Sequence, residues 1–337
     1  MKHYSLFLSL FVIFIHGPAF CQEKAIIDLA SEKDWTMQID GAGEWIGVKV
    51  PYGGWNSDRQ YKLLDENTDV KDYVIYKREI KAPSEIDRSV VKLCFGAVNF
   101  GAEVYVDDVM VCQHHSNFTA FEADITNCLR AKKSCIVKVK AYVLDQYKNS
   151  KGQYSMPTGF IYGNKHVKYP FGIARFVRME IYPEVYISNV FVRPSVTYRQ
   201  LNYDVTIANG STKRREVILH SGLDCWNGRS FDYPKIKDSK AEIDAGQSKT
   251  ITISAPWLSG PDSYWWPNIP FREDYTATLH NLNLSLTSPR GKQLYKVTQR
   301  FGFVEHAEGP YYYTVNGVRV NLPSDASAAT QGCVYDA

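Results

Sequence analysis

The sequence predicts an all-β protein built as two consecutive β-sandwiches, and three observations carry that expectation. Apolar and polar residues alternate with period two: Leu201, Tyr203, Val205 and Ile207 interleave with Asn202, Asp204 and Thr206, the pattern of a strand with one buried face. Aromatic residues make up 14% of the chain, and aromatic side chains favour sheets. Helical periodicity shows only around Ile125 to Ala131, about two turns. No repeat of about 20–50 residues is visible, which argues against propellers and solenoids.

The chain opens on a leader. Lys2 and His3 form a weakly basic start, and Leu6 to Ile15 run apolar apart from Ser9. That is the length of a signal-peptide core and too short to span a bilayer. Gly17 and Pro18 break it, and Ala19-Phe20-Cys21 before Gln22 offers a cleavage site. Residues 1–21 are therefore expected to be removed and the protein exported, to a periplasmic or extracellular location. Lipid attachment at Cys21 is the alternative, and the bulky Phe20 stands where such sites want a small residue. No later stretch is long and apolar enough to cross a membrane.

Residues 22–184 read as a first sandwich. Val104 and Val106, then Val109 and Val111, flank Asp107-Asp108 as a hairpin, and Val137, Val139, Ala141 and Val143 alternate with polar residues and Tyr142. Long aromatic, Gly-rich connections such as Lys151 to Tyr169 separate these strands. A boundary falls near Pro183. Residues 185–302 hold shorter, closer strands, among them one with Ile251 and Ile253, and have the size of an immunoglobulin-like sandwich. Alternating strands need a second layer to bury one face, so each block calls for two sheets.

Composition excludes several function classes. The net charge is +3 with acids and bases mixed, so no nucleic-acid footprint exists. The basic run Lys213-Arg214-Arg215 follows Asn209-Gly210-Ser211 and reads as a solvated turn. Six cysteines lie beyond the leader. Cys94 and Cys112 sit in apolar strand patterns as buried thiols, while Cys128 and Cys135 flank a short loop and are the best disulfide candidates. No CxxC pair exists. His114 and His115 beside Cys112 point to opposite faces of an extended segment, so no metal site is expected, and no cofactor is implied. There is no G-x-S-x-G elbow, H-E-x-x-H or Walker loop. Gly41 and Gly43 begin a dinucleotide-like pattern that fails at its third position. Glu305 and Glu308 read as solvated linker acids. Asn117, Asn209 and Asn283 begin glycosylation sequons, which matter only in a eukaryotic secretory pathway.

The order of motifs resembles glycoside hydrolase family 2, the β-galactosidase, β-glucuronidase and β-mannosidase group. Tyr76-Lys77-Arg78, Leu93 to Val98, Ala102 to Val106 and Phe121 to Thr126 occupy the places of conserved elements in that family's sugar-binding jelly roll. Phe171 to Val196 resembles the junction that closes the jelly roll. Trp265-Trp266-Pro267 to Tyr275, Phe301-Gly302-Phe303 with Val304-Glu305, and the hairpin from Tyr313 to Leu322 resemble the elements leading into the catalytic barrel. Asp107-Asp108 departs from the usual Asn-Gly turn, Ser116-Asn117 from a glycine pair, Val304 from an arginine, and Pro323-Ser324 from Arg-Gly.

The resemblance implies a galactose-binding-like jelly roll (22–184), an immunoglobulin-like sandwich (185–302) and, over 303–337, a linker with the start of a (β/α)8 barrel. The family's two catalytic glutamates lie about 5 Å apart on a barrel that takes about 250 residues, so no acid in this sequence inherits their roles. The chain is then the non-catalytic front of an enzyme that hydrolyses O-glycosidic bonds of β-glycosides. A free-standing carbohydrate-binding module and a structural sandwich protein are the alternatives. The partner implied is a carbohydrate. Loops of the family's jelly roll can edge the active site, which makes Trp55, Asn56, His166 and Tyr169 the candidate sugar contacts: rings offer flat apolar faces to pyranose C–H groups beside polar partners for hydroxyls. Arg175 reads instead as a structural charge at the junction.

Overall fold

The computed structural model describes residues 23–51, 72–116, 119–142, 172–267 and 276–321. It is almost entirely strand, and every strand ladder pairs antiparallel.

Two sheets form the first sandwich. Strands β1 (Ala25–Asp28), β5 (Ser89–Phe95), β9 (Phe121–Asp124) and β12 (Val177–Pro183) make one, in the order β1-β12-β5-β9. Strands β2 (Ser31–Ile39), β3 (Ala42–Val50), β4 (Tyr73–Lys81), β7 (Ala102–Val106), β8 (Val109–His114) and β10 (Ser134–Tyr142) make the other, in the order β3-β2-β4-β10-β7-β8. A short pair, β6 (Val98–Asn99) with β11 (Gly172–Ile173), adds to them. The core between the sheets includes Trp35, Tyr76, Leu93, Phe95, Val104 and Val139. Val137, Val139 and Ala141 are fully buried at alternate positions, as their spacing requires; Val143 lies outside the described residues.

The Asp107-Asp108 hairpin forms with both residues at positive φ, 46° and 69°, the conformation its two-residue turn demands. Asn-Gly would adopt it at less cost. Here the Asp107 carboxylate offsets part of that cost by accepting bonds from the Ile136 amide and Lys132 Nζ, each at 2.8 Å. The one α-helix among the described residues, α1 (Thr126–Ala131), falls where helical periodicity placed it. Asp124 Oδ1 accepts from the Thr126 amide at 2.9 Å, and Thr126 Oγ1 accepts from the Val91 amide at 2.9 Å. The Asp-Ile-Thr element thus ties the helix start to β5.

The second sandwich packs the sheet β13 (Val185–Ser195), β14 (Gln200–Asn209) and β17 (Ser248–Pro256) on the sheet β16 (Ser239–Ile243), β15 (Arg215–Cys225), β18 (His280–Thr287) and β19 (Gln293–Phe301). Leu201, Tyr203, Val205 and Ile207 are all fully buried, each such apolar side chain contributing about 1.5–3 kcal/mol. Beyond it, β20 (His306–Glu308), β21 (Tyr313–Val315) and β22 (Val318–Val320) form a small sheet. Asn316 and Gly317, at φ 52° and 79°, make its turn. The expected start of a barrel is not seen among the described residues.

Several sequence expectations need correction. Cys128 and Cys135 are free thiols; Cys135 points into the core at 2% exposure, and burial pushes its pKa up to about 11. The Lys213-Arg214-Arg215 run is more than a solvated turn. Arg215 donates to Glu184 at 2.9 Å, and Arg214 pairs with Glu242 and Asp244. Asn209 is 1% exposed, its Nδ2 donating to the carbonyls of Lys213, Ile243 and Asp244, so it is closed to glycosylation.

Candidate functional site

The four expected sugar contacts, Trp55, Asn56, His166 and Tyr169, lie outside the described residues. Arg175 is exposed and makes no ion pair among the described residues. The charge at the junction is carried by Arg215 on Glu184 instead.

The most elaborate polar site lies at the far end of the second sandwich, where the chain passes into the small sheet. Phe303 is fully buried, stacked on Trp257 at 4.3 Å and Tyr264 at 5.5 Å between ring centroids. The Trp265 amide donates to the Phe303 carbonyl at 3.0 Å. Gly302 lies directly under Trp265: a Cβ there would come within 2.7 Å of the Trp265 Cβ and Cγ. The glycine of the Phe-Gly-Phe element is thus required by close approach, not by its backbone angle.

Glu305 completes the arrangement. Its carboxylate accepts from Ser195 Oγ at 2.7 Å, the Thr197 amide at 3.0 Å and Thr197 Oγ1 at 2.6 Å. Its amide donates to Asn316 Oδ1 at 2.9 Å, its carbonyl accepts from the Asn316 amide at 2.8 Å, and Asn316 Nδ2 donates to the Trp265 carbonyl at 2.9 Å. Burial alone would raise the carboxyl's pKa, but the bonds from Thr197, Ser195 and the Val196 backbone outweigh it and hold the pKa below its ordinary value. Glu305 is therefore no simple solvated acid. It joins the β13–β14 turn, the Trp-Trp-Pro segment and the small sheet.

A buried aromatic cage stands behind this clamp. His280 is fully buried, and its Nε2 lies 2.7 Å from the Ser263 carbonyl. A carbonyl only accepts, so Nε2 carries the proton and Nδ1 accepts from the Tyr233 hydroxyl at 2.7 Å. Trp257, Tyr233 and Phe231 approach the ring edge-to-face. Burial lowers the histidine's pKa. This is a satisfied core histidine, closed to substrate.

These groups are bound to other parts of the fold. Glu305 makes five hydrogen bonds to three residues, Ser195, Thr197 and Asn316, and Glu308 stands exposed on β20. No group of three or more His, Cys, Asp or Glu residues able to hold a metal exists among the described residues. Sequence reasoning missed the roles of Glu305 and His280. Their partners are up to 110 positions away, and the only local signal was Glu305's place directly after the Phe-Gly-Phe element.

The clamp, the Phe-Gly-Phe link and the antiparallel sandwich before them carry a recognisable pattern. Residues 185–303 match the family described as "Glycosyl hydrolases family 2". The match covers about a third of the chain. Solved structures extend the likeness to both sandwiches. Bacteroides uniformis β-glucuronidase 2, covalently bound to cyclophellitol-6-carboxylate aziridine, is similar with a TM-score of 0.66 at 15% identity, over 88% of this chain and 34% of that one. A putative β-galactosidase from Bacteroides fragilis gives 0.63 at 17% identity, over 88% and 44%. A β-galacturonidase of the same family from Eisenbergiella tayi, bound to galacturonate, gives 0.61 at 18%, over 88% and 46%. At these identities the likeness establishes the fold alone. This chain spans between a third and a half of the length of these structures. No curated protein sequence matches it.

Proposed function

We propose that these residues form the non-catalytic front of an exported family 2 glycoside hydrolase, and that the intact enzyme hydrolyses β-glycosides. The single observation that carries this reading is the family match over residues 185–303, which ends on the Phe-Gly-Phe link that Glu305 clamps in place. The fold shared with the three glycosidases over 88% of this chain supports it.

In this reading residues 22–184 are a sugar-binding jelly roll and 185–302 an immunoglobulin-like sandwich. Residues 303–337 lead into a (β/α)8 barrel that supplies both catalytic glutamates. The Glu305–Asn316 contacts fix the direction in which the chain leaves the second sandwich, and so where a following domain sits. Trp55, Asn56, His166 and Tyr169 would reach its substrate from the jelly-roll side. The leader directs export; among the described residues no helix is long and apolar enough to cross a membrane.

The test is the coding sequence downstream of Ala337. An in-frame barrel whose addition confers β-glycosidase activity is the expected result; a complete reading frame that yields no hydrolase with any following segment overturns it. N-terminal sequencing of the exported protein should find a start at Cys21 or Gln22, and an intact Met1 start contradicts export.

A further inference from the structure

We propose that Asn227-Gly228 is a site of spontaneous covalent modification, at which the asparagine deamidates to aspartate and isoaspartate. The sequence holds three Asn-Gly pairs, beginning at Asn209, Asn227 and Asn316. Such a pair is chemically labile because glycine has no Cβ to keep its amide nitrogen from the preceding side chain. The fold separates the three by how firmly it holds the reacting groups.

At Asn227 those groups are open to solvent. Asn227 and Gly228 are both exposed, in the turn that follows β15. The Gly228 amide donates to the Cys225 carbonyl at 3.1 Å, which closes the turn. Gly228 stands at φ 77°, with open space where a Cβ would point. Asn227 Oδ1 accepts from Cys225 Sγ at 2.9 Å, a contact that draws electron density from Cγ. Asn227 Nδ2 has no hydrogen-bond partner among the described residues, so the leaving amine is unheld.

The other two pairs are locked. Asn209 is 1% exposed, and its Nδ2 donates to three carbonyls. The Gly210 amide donates to the Glu184 carbonyl at 2.7 Å, and Val90 Cγ2 occupies the space a Cβ on Gly210 would take. Neither the nucleophile nor the chain around it has room to turn. Gly317 is as open as Gly228, but Asn316 is held at both side-chain atoms. Its Oδ1 accepts from the Glu305 amide and its Nδ2 donates to the Trp265 carbonyl, each at 2.9 Å. Reaction at either site requires these bonds to open first. Opening costs least in exposed turns and approaches the full unfolding free energy in the core.

The chemistry needs only water. The Gly228 amide gives its proton to water or a buffer base, its nitrogen bonds to Asn227 Cγ, and the Cγ–Nδ2 bond breaks with loss of ammonia. Water then adds to one of the two carbonyls of the cyclic imide. One opening leaves aspartate; the other leaves isoaspartate, whose main chain runs through Cγ and is one methylene longer. Both products add a negative charge. Isoaspartate also displaces the turn that carries Trp226, whose ring lies 4.9 Å from the Arg300 guanidinium.

Deamidation here is independent of the hydrolase reading, and its absence leaves that reading untouched. The experiment incubates the full chain in mildly alkaline buffer, folded and in guanidinium chloride, and maps tryptic peptides by mass spectrometry. Residues 216–229 form one such peptide, with Asn227 its sole asparagine. In the folded chain Asn227 should deamidate at least about tenfold faster than Asn209 or Asn316. In denaturant the three rates should converge to within about threefold, because the contacts that separate them are gone. Asn227→Gln should abolish the signal in 216–229, since glutamine would have to close a larger ring. A rate at Asn209 or Asn316 equal to that of Asn227 in the folded chain overturns the proposal. So does a folded chain that keeps the Asn227 amide while the denatured chain loses it.

Discussion

At the residue scale, Glu305 and His280 show how one side chain holds distant segments together. Removing the Glu305 carboxylate in Glu305→Ala breaks three hydrogen bonds to the β13–β14 turn. Charge-assisted bonds are worth about 1.5–3 kcal/mol each when buried, and solvent contact here reduces that, so a total loss of about 1–2 kcal/mol is expected in chemical denaturation. Because its folded pKa is lowered, its contribution is present above the ordinary carboxyl range and fades as pH falls through the folded value. His280 acts in the same direction through the opposite charge. Its folded pKa lies below the usual histidine value, so the folded state takes up fewer protons than the unfolded one near pH 6. Stability from His280 is complete above about pH 6.5 and declines as pH falls below it. Thermal melting from pH 8 to 5 should show that decline, and His280→Gln should flatten it; an equal slope in the variant would contradict this assignment.

At the element scale, the strands were the most legible part of the sequence. The alternation at Leu201–Ile207 and Val137–Ala141 fixes which face is buried, because a one-residue slip would expose every apolar side chain. The Asp107-Asp108 and Asn316-Gly317 turns and the helix after Asp124 were readable because their conformations need particular local residues. Arg215, by contrast, looked like part of a solvated basic run, since its partner Glu184 belongs to another strand boundary and charge pairing across the fold leaves no local trace. The predicted sugar contacts rest on long connections outside the described residues. Gly302 was legible as a motif, though not its reason, which is the Trp265 ring above it. Gly302→Ala should destabilise the protein by about 1–3 kcal/mol through overpacking, with a change in tryptophan fluorescence; wild-type stability and emission would show that the contact gives way freely.

At the scale of the whole molecule, the two sandwiches are joined through more than the chain between them. Val90 and Tyr182, on β5 and β12, pack into the second core. Tyr182 stacks on Tyr186 with centroids 4.4 Å apart, and a Cβ on Gly210 would fall 2.2 Å from Val90 Cγ2. Lys24 binds Glu180 at 3.0 Å on the first sandwich, while its neighbour Glu23 binds Lys296 at 2.7 Å on the second. A pair of sandwiches braced in this way, with its last link clamped, suits the non-catalytic front proposed above. The measurement that tests this most directly is a hydrolysis assay of the purified chain on nitrophenyl β-galactoside, β-glucuronide and β-mannoside. The account predicts release of nitrophenol no faster than in buffer with all three; sustained turnover of any one, co-purifying with the chain, would contradict it.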